Sequence, residues 1–225
     1  KDDNATSICL IQAPNVTIQD LTLDGNNPSL TSGVNVNGED IDARNGIIGD
    51  YIITDSSKLP NNLTVYNVTV ENTYLRGIYG TGYSHVTGLD FHDNVVRNVA
   101  GDEFNSAGVM FWNATGSMVD NTVEDTQRGL FCIWGSNCVI QNNIITDALE
   151  AGISVGRNLV ATGVISVSGN SITGGSLGIE VFYQETPLTV VGNTVNDATV
   201  GIVIGGRSDN PLIVDNEVDG SGAAG

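Results

Sequence analysis

Recurrence constrains a chain more than any other feature, and one short frame recurs along most of this sequence. It is clearest in Leu188 to Gly205, LTVVGNTVNDATVGIVIG. Leu188 and Val190 alternate with other residues, Asn193 and an apolar Val195 follow, and a polar turn at Asn196 and Asp197 leads to Gly201-Ile202-Val203-Ile204. The frame returns as Asn170-Ser171-Ile172 with Gly178-Ile179-Glu180-Val181, and as Asn143-Ile144-Ile145 with Gly152-Ile153-Ser154-Val155. It returns again as Asn121-Thr122-Val123 with Gly129-Leu130-Phe131-Cys132, and as Asn94-Val95-Val96 with Gly108-Val109-Met110-Phe111. The period is roughly 22 to 27 residues, within the range of solenoids.

A unit this short has no room for a pair of helices and lacks their i, i+3, i+4 spacing. It holds about three short strands with inward apolar residues at period two. Coiling such units stacks equivalent strands in parallel, about 4.8 Å apart, and each coil buries its inward residues against its neighbours. The expected fold is all-β: one parallel β-helix over residues 1–225, of about eight coils, the last incomplete. Residues 26–44 and 51–62 depart from the frame and read as loop excursions. Val68 and Leu21 stand where later units carry Asn. Asn94, Asn121, Asn143, Asn170, Asn193 and Asn216 are expected one above another, with amides bonding along the stack. The glycine opening each G-φ-x-φ strand is expected to turn a sharp corner at positive φ.

The alternation in NVTIQDLTLDGN (Asn15 to Asn26), followed by units of the form V-x-x-x-N-x-V-x-x-x-x-x-G-I-x-V, resembles the right-handed parallel β-helix repeat proteins of the pectate-lyase-like superfamily and its surface relatives. The resemblance covers nearly the whole chain and implies a right-handed coil. It spans lyases, hydrolases, epimerases, tailspikes, adhesins and surface-layer components, so function has to come from the residues.

Charge narrows the field. The chain carries 26 acidic and 8 basic residues, a net −18, which disfavours nucleic acid and anionic lipid as partners. No apolar run reaches the roughly 18 residues of a membrane-spanning helix. The start at Lys1-Asp2-Asp3 suggests a mature or excised portion of something longer. Among the three cysteines, Cys132 and Cys138 flank a five-residue turn and could bridge.

Four sets of residues are candidates for a site. The first is an outward row on the G-φ-x-φ strands: Ile48, Tyr79, Met110, Phe131, Ser154, Glu180 and Val203, with Trp112, Ile133 and Phe182 two residues on. Its apolar members, chiefly Tyr79, Met110, Trp112, Phe131 and Phe182, form either a face for sugar or protein or a surface that a loop covers. The second is charge. Arg76 and Arg128 precede corner glycines two coils apart, with Asp102 and Glu103 in the enlarged turn between them. A uronate lyase needs a cation for the carboxylate and a base for the C5 proton, and these residues could supply both. The third is a turn position holding Asn72, Asn98, Asp125, Asp147 and Asp197, a row of oxygen ligands that would suit Ca²⁺. Turn chemistry explains the same residues, and no cofactor is required. The fourth is glycosylation: Asn4, Asn15, Asn62, Asn67 and Asn113 begin N-x-T sequons, with Asn62 and Asn113 the candidates. His85 and His92 add little, and His92, next to Asp93 on a strand, reads as an exposed polar residue rather than a general base.

The two ends add one expectation. Gly225 stands where a G-φ-x-φ strand would start, and Ser7 to Leu10 reads as such a strand. Identical chains stacked head to tail would complete each other's coils and build a filament. The leading reading is therefore an extracellular or cell-surface structural or interaction β-helix, self-assembling or bound to surface proteins or carbohydrate. The alternative is a polysaccharide lyase or epimerase acting on uronate polymers.

Overall fold

The computed structural model of the protein describes residues 7–27, 29–30, 35–36, 39–40, 43–49, 54–101, 105–158, 165–184, 187–206, 208 and 211–220. The repeat folds into a parallel β-solenoid. One sheet has eight strands: Ser7–Ile11, Asn45–Gly49, Arg76–Gly80, Ala107–Trp112, Arg128–Ile133, Ala151–Asn158, Leu177–Gln184 and Val200–Gly205, in that order. A second, 14-stranded sheet holds the other two strand positions of each coil. They separate into two stacks that join through the long strand Thr64–Glu71, which pairs with Val86–His92 on one side and Val95–Val99 on the other. The expected eight coils correspond to the eight strands of the first sheet. In five successive turns, from Val86 to Gly205, all three strands form.

The two departures from the frame take their own local structure. Within 26–44 a short antiparallel pair, Asn35–Val36 with Glu39–Asp40, interrupts the parallel order. Within 51–62 a single 3-10 turn, Ser56–Lys58, is capped by Asp55, whose carboxylate accepts from the Ser57 amide at 3.0 Å.

Period-two alternation places three inward columns inside the coil. Ile47, Ile78, Val109, Leu130, Ile153 and Ile179 line the first sheet. Val65, Phe91, Met118, Ile140, Val167 and Val190 line the second stack, and Val70, Val96, Val123, Ile145, Ile172 and Val195 the third. Nearly every one of these side chains is fully buried in a single continuous core. Each coil therefore gains most of its stability from its neighbours.

Between the second and third stacks runs the asparagine ladder. Asn94, Asn121, Asn143, Asn170 and Asn193 are buried, yet each amide is fully used. The Asn143 Oδ1 accepts from the Asn121 backbone amide at 2.9 Å and from Asn121 Nδ2 at 3.0 Å. Asn143 Nδ2 in turn donates to Asn170 Oδ1 at 2.9 Å and to the Met118 carbonyl at 2.9 Å. The same pattern joins Asn94 to Asn121, Asn170 to Asn193 and Asn193 to Asn216. Val68 has no amide to offer, but its backbone N–H donates to Asn94 Oδ1 at 3.1 Å and finishes the ladder.

The glycines have a different role from the one expected. The sharp corner at positive φ falls one residue before each ladder Asn, on Asp93, Asp120, Asn142, Gly169, Gly192 and Asp215. The glycines that open the first-sheet strands have ordinary strand φ. They are glycine because there is no room: a methyl on Gly152 would lie 2.5 Å from Ile172 Cγ2 and 2.9 Å from the Gly178 carbonyl oxygen. A methyl on Gly108 would lie 2.5 Å from Val123 Cγ1.

Candidate functional site

The outward column of the first sheet has the expected register: Ile48, Tyr79, Met110, Phe131, Ser154, Glu180 and Val203 pair in sequence. Of the two readings of this column, an open face or a covered surface, most of its apolar members follow the second. Ile48, Tyr79, Ala107, Met110, Phe131 and Ile133 form a second buried apolar cluster outside the coil, and Trp112 and Phe182 are half-buried against it. Met110 and Phe131 are fully buried, so they are packing residues and not part of an open face. Burying this apolar column is the outcome expected of a stable chain, since a face of that size is rarely left in water.

What stays accessible is the corner where the first sheet ends. Trp112 pairs with Ile133, then Gly156, then Phe182 up the coils. The next residues along, Asn113, Trp134 and Tyr183, have φ of 52°, 59° and 51°. The left-handed region costs a bulky residue roughly 1–2 kcal/mol. Here it turns Trp134 and Tyr183 outward, 43% and 51% exposed. Trp134 stacks on Trp112 with ring centroids 5.4 Å apart. Its turn is fixed on both sides: Cys132 and Cys138 form a disulfide, and Ser136 Oγ donates to the Ile133 carbonyl at 2.7 Å.

Beside this stack lies a cleft of about 330 Å³ lined by Arg76, Tyr79, Thr81, Tyr83, Asn105 and Trp112, with Gly82 in its wall. The Arg76 guanidinium sits 4.3 Å above the Tyr79 ring and donates to Asn45 Oδ1 at 3.3 Å. Tyr83 is 61% exposed at its rim. Aromatic rings, one cation and one amide around a shallow concavity suit a ligand with both apolar and hydroxyl faces.

The other candidates are placed as follows. Arg76 and Arg128 share one column with Ala107 between them, two coils apart. Arg128 is buried beneath Phe131, its guanidinium 4.9 Å from that ring. It pairs with Glu150, whose second oxygen accepts from Gln127 at 3.2 Å. Burial pushes the Arg128 pKa down, opposed by Glu150 and Glu180. Arg128 is thus tied into an ion pair, whereas Arg76 reaches the cleft. Asp102 and Glu103 lie outside the described residues. Sequence reasoning missed Glu150. It sits one position before Ala151, which pairs with Arg128, so aligning the two corners would have found it.

Asn72, Asn98, Asp125, Asp147 and Asp197 do stand in one row, each with left-handed φ. Gly174 separates Asp147 from Asp197. Among the described residues no group of three His, Cys, Asp or Glu side chains could hold a metal ion. The left-handed turn is itself sufficient reason for Asx here. Of the sequon residues, Asn62 Nδ2 donates to Asn15 Oδ1 at 2.9 Å, and Asn113 Oδ1 faces His85. His92 stacks on Tyr66 and contacts Asp93 at 2.9 Å, away from the cleft.

Residues 107–225, more than half of the chain, match the family model described as the right handed beta helix region. The chain belongs to the right-handed β-helix family. The five complete turns of this β-helix lie mostly within the matched segment. No curated protein sequence matches the chain. Among solved structures it is similar to a mutant tailspike protein of E. coli bacteriophage HK620 in complex with pentasaccharide, at 12% identity and a TM-score of 0.35. The alignment covers 99% of this β-helix and 58% of that chain, so the chain spans well under two thirds of the tailspike's length. No helix among the described residues is long and apolar enough to cross a membrane.

Proposed function

We propose that this β-helix is an extracellular or cell-surface interaction module that binds carbohydrate at the aromatic corner of its first sheet. The observation that carries the reading is Trp134: a bulky residue held in a strained left-handed backbone, half-exposed, stacked on Trp112 and locked by a disulfide. The coil corner sets this left-handed backbone, which Asn113 fills at the equivalent position, and a bulky exposed aromatic kept there despite its cost is typical of a binding position. The neighbouring cleft adds Tyr83, Asn105 and Arg76, whose polar groups suit sugar hydroxyls.

The chain has only two tryptophans, Trp112 and Trp134, so its intrinsic fluorescence reports on this corner directly. Titration with a panel of soluble polysaccharides, neutral and acidic, with and without Ca²⁺, should change that emission saturably for at least one member. Trp134→Ala should abolish the binding while leaving the β-sheet circular dichroism intact. A panel with no saturable response would overturn the reading.

A second reading rests on the solenoid edges. Inward-facing Ile213 and Val218 are 39% and 44% exposed on the last described strands. Head-to-tail stacking of a second copy there would cover them. Electron microscopy showing threads would support this assembly, and monodisperse particles at high concentration would remove it.

A further inference from the structure

The carbohydrate reading places Tyr83 at the rim of the cleft, and the structure shows what holds it there. The chain between the first sheet and the next strand is anchored at both ends: Thr81, Gly82 and Val86 are buried. The three residues between them, Tyr83, Ser84 and His85, are exposed. Of these, His85 crosses to the following coil. Its Nδ1 lies 3.1 Å from Asn113 Oδ1 and its Nε2 lies 2.9 Å from Thr115 Oγ1. An amide oxygen only accepts, so Nδ1 carries the proton. A hydroxyl either donates or accepts, so the second bond survives whether the ring is neutral or charged. Asn113 directly follows Trp112, and its Oδ1 lies 3.7 Å from where a Cβ on Gly135 would be, beside Trp134. His85 therefore ties the turn that bears Tyr83 to the corner that bears both tryptophans.

We infer that His85 is the positioning residue of the cleft: its two hydrogen bonds to Asn113 and Thr115 hold the 83–85 turn so that Tyr83 faces Trp112 across the opening. This rests on the carbohydrate reading for its consequence but not for its geometry. A merely exposed histidine would leave the turn unchanged when removed. A clamp would release it. Tyr83 supplies the contact, and His85 acts through it.

The test uses the whole chain with single variants at His85, Thr115, Tyr83 and Trp134 and one double variant. Hydrogen exchange without ligand comes first: in His85→Ala the Val86 amide, which donates to the Asn113 carbonyl at 3.1 Å, should exchange at least about tenfold faster, while Asn121 and Asn143 in the ladder stay protected. Thr115→Val, which removes one of the two side-chain bonds, should show a smaller change in that amide. Unaltered exchange at Val86 overturns the proposal whatever the protein binds. Binding comes second, read by tryptophan fluorescence with the tightest-binding polysaccharide of the panel. His85→Ala should weaken binding about fivefold, roughly one lost hydrogen bond. In Tyr83→Ala the same His85→Ala change should add nothing, because the residue it positions is gone. Equal losses in both backgrounds would overturn the positioning role. Full binding by Tyr83→Ala would remove Tyr83 from the site and the proposal with it, whereas loss of binding in Trp134→Ala alone would leave the carbohydrate reading standing.

Discussion

Asn143 is the centre of the ladder, and its removal tests whether the amides or the apolar columns bind the coils together. Its side chain has five polar contacts: Oδ1 accepts twice from Asn121, and the two N–H groups of Nδ2 serve three acceptors, Asn170 Oδ1 and the Met118 and Gln141 carbonyls, with one N–H shared. A net hydrogen bond contributes about 1 kcal/mol, and a buried group left without a partner costs about 1–3 kcal/mol. In Asn143→Ala the Asn121 backbone N–H and the Met118 carbonyl lose this partner inside a side-chain environment that is fully buried. Water cannot replace it, so the expected loss is about 5 kcal/mol. Asn216 makes similar bonds, to the Val190 and Val214 carbonyls, at the exposed end of the ladder. Water substitutes there, and Asn216→Ala should cost only about 1 kcal/mol. Guanidinium unfolding followed by tryptophan fluorescence reads both, with equal slopes confirming that the same surface is exposed. A loss below about 2 kcal/mol for Asn143→Ala, or equal losses at both sites, would refute the idea that buried amides couple the coils.

The remaining predictions concern particular residues. Gly152→Ala should destabilise by more than about 2 kcal/mol, because its methyl would enter the space of Ile172 and the Gly178 carbonyl; a neutral shift in the unfolding midpoint would contradict the close-packing account. Gly192→Asn should be neutral or slightly stabilising: Gly192 has φ of 64° with open space around it, and Asn142 occupies the equivalent corner. Replacing Cys132 and Cys138 by Ala should cost about 2 kcal/mol from loop entropy alone, and should raise the mobility of Trp134 as seen in fluorescence anisotropy. Asp24 is held below the ordinary aspartate range by the Asn72 amide and then by the Asn26 N–H. With its folded pKa depressed, its contribution is present above the unfolded pKa and fades as the pH falls through the folded one. A carboxyl titration by NMR should therefore find Asp24 below the unfolded-peptide value, and Asn72→Ala should bring it back up.

Much of this fold was legible because its rules are local and repeated. The Asn spacing placed Asn94 to Asn216 in one column, and the G-φ-x-φ frame gave the register of Tyr79, Met110 and Phe131. Repetition could not show what lies outside the coil. The sequence has the same alternation whether Met110 faces water or a covering layer, so its burial was invisible. The corner glycines were misread for a related reason. Positive φ and lack of space both select glycine, and only the Cβ directions separate them. The site was less legible still. His85 bonds to Asn113 and Thr115 on the next coil, where Val86 pairs with Ala114, but the enlarged turn stretches that separation just beyond the 22 to 27 residues of the repeat, so the Asn and Gly frame did not single them out. Trp134 was visible only as a residue between two cysteines. Its left-handed backbone is a property of the coil corner, shared with Asn113 and Tyr183.

The ladder also has a direction. From Asn94 to Asn193 every side-chain amide gives one hydrogen to the Asn of the next coil and another to a carbonyl of the coil before. Its oxygen always faces the coil before, so, like a one-way zip, each step presents the same acceptor below and the same donor above. Excising one whole period, residues 143–169, would set Asn170 where Asn143 stood and keep the ladder continuous, at the loss of the Arg128–Glu150 ion pair. The molecule is thus adjustable in length by steps of about 4.8 Å, and insertion or loss of a whole period is the natural way for such a chain to vary its reach without relearning how to fold.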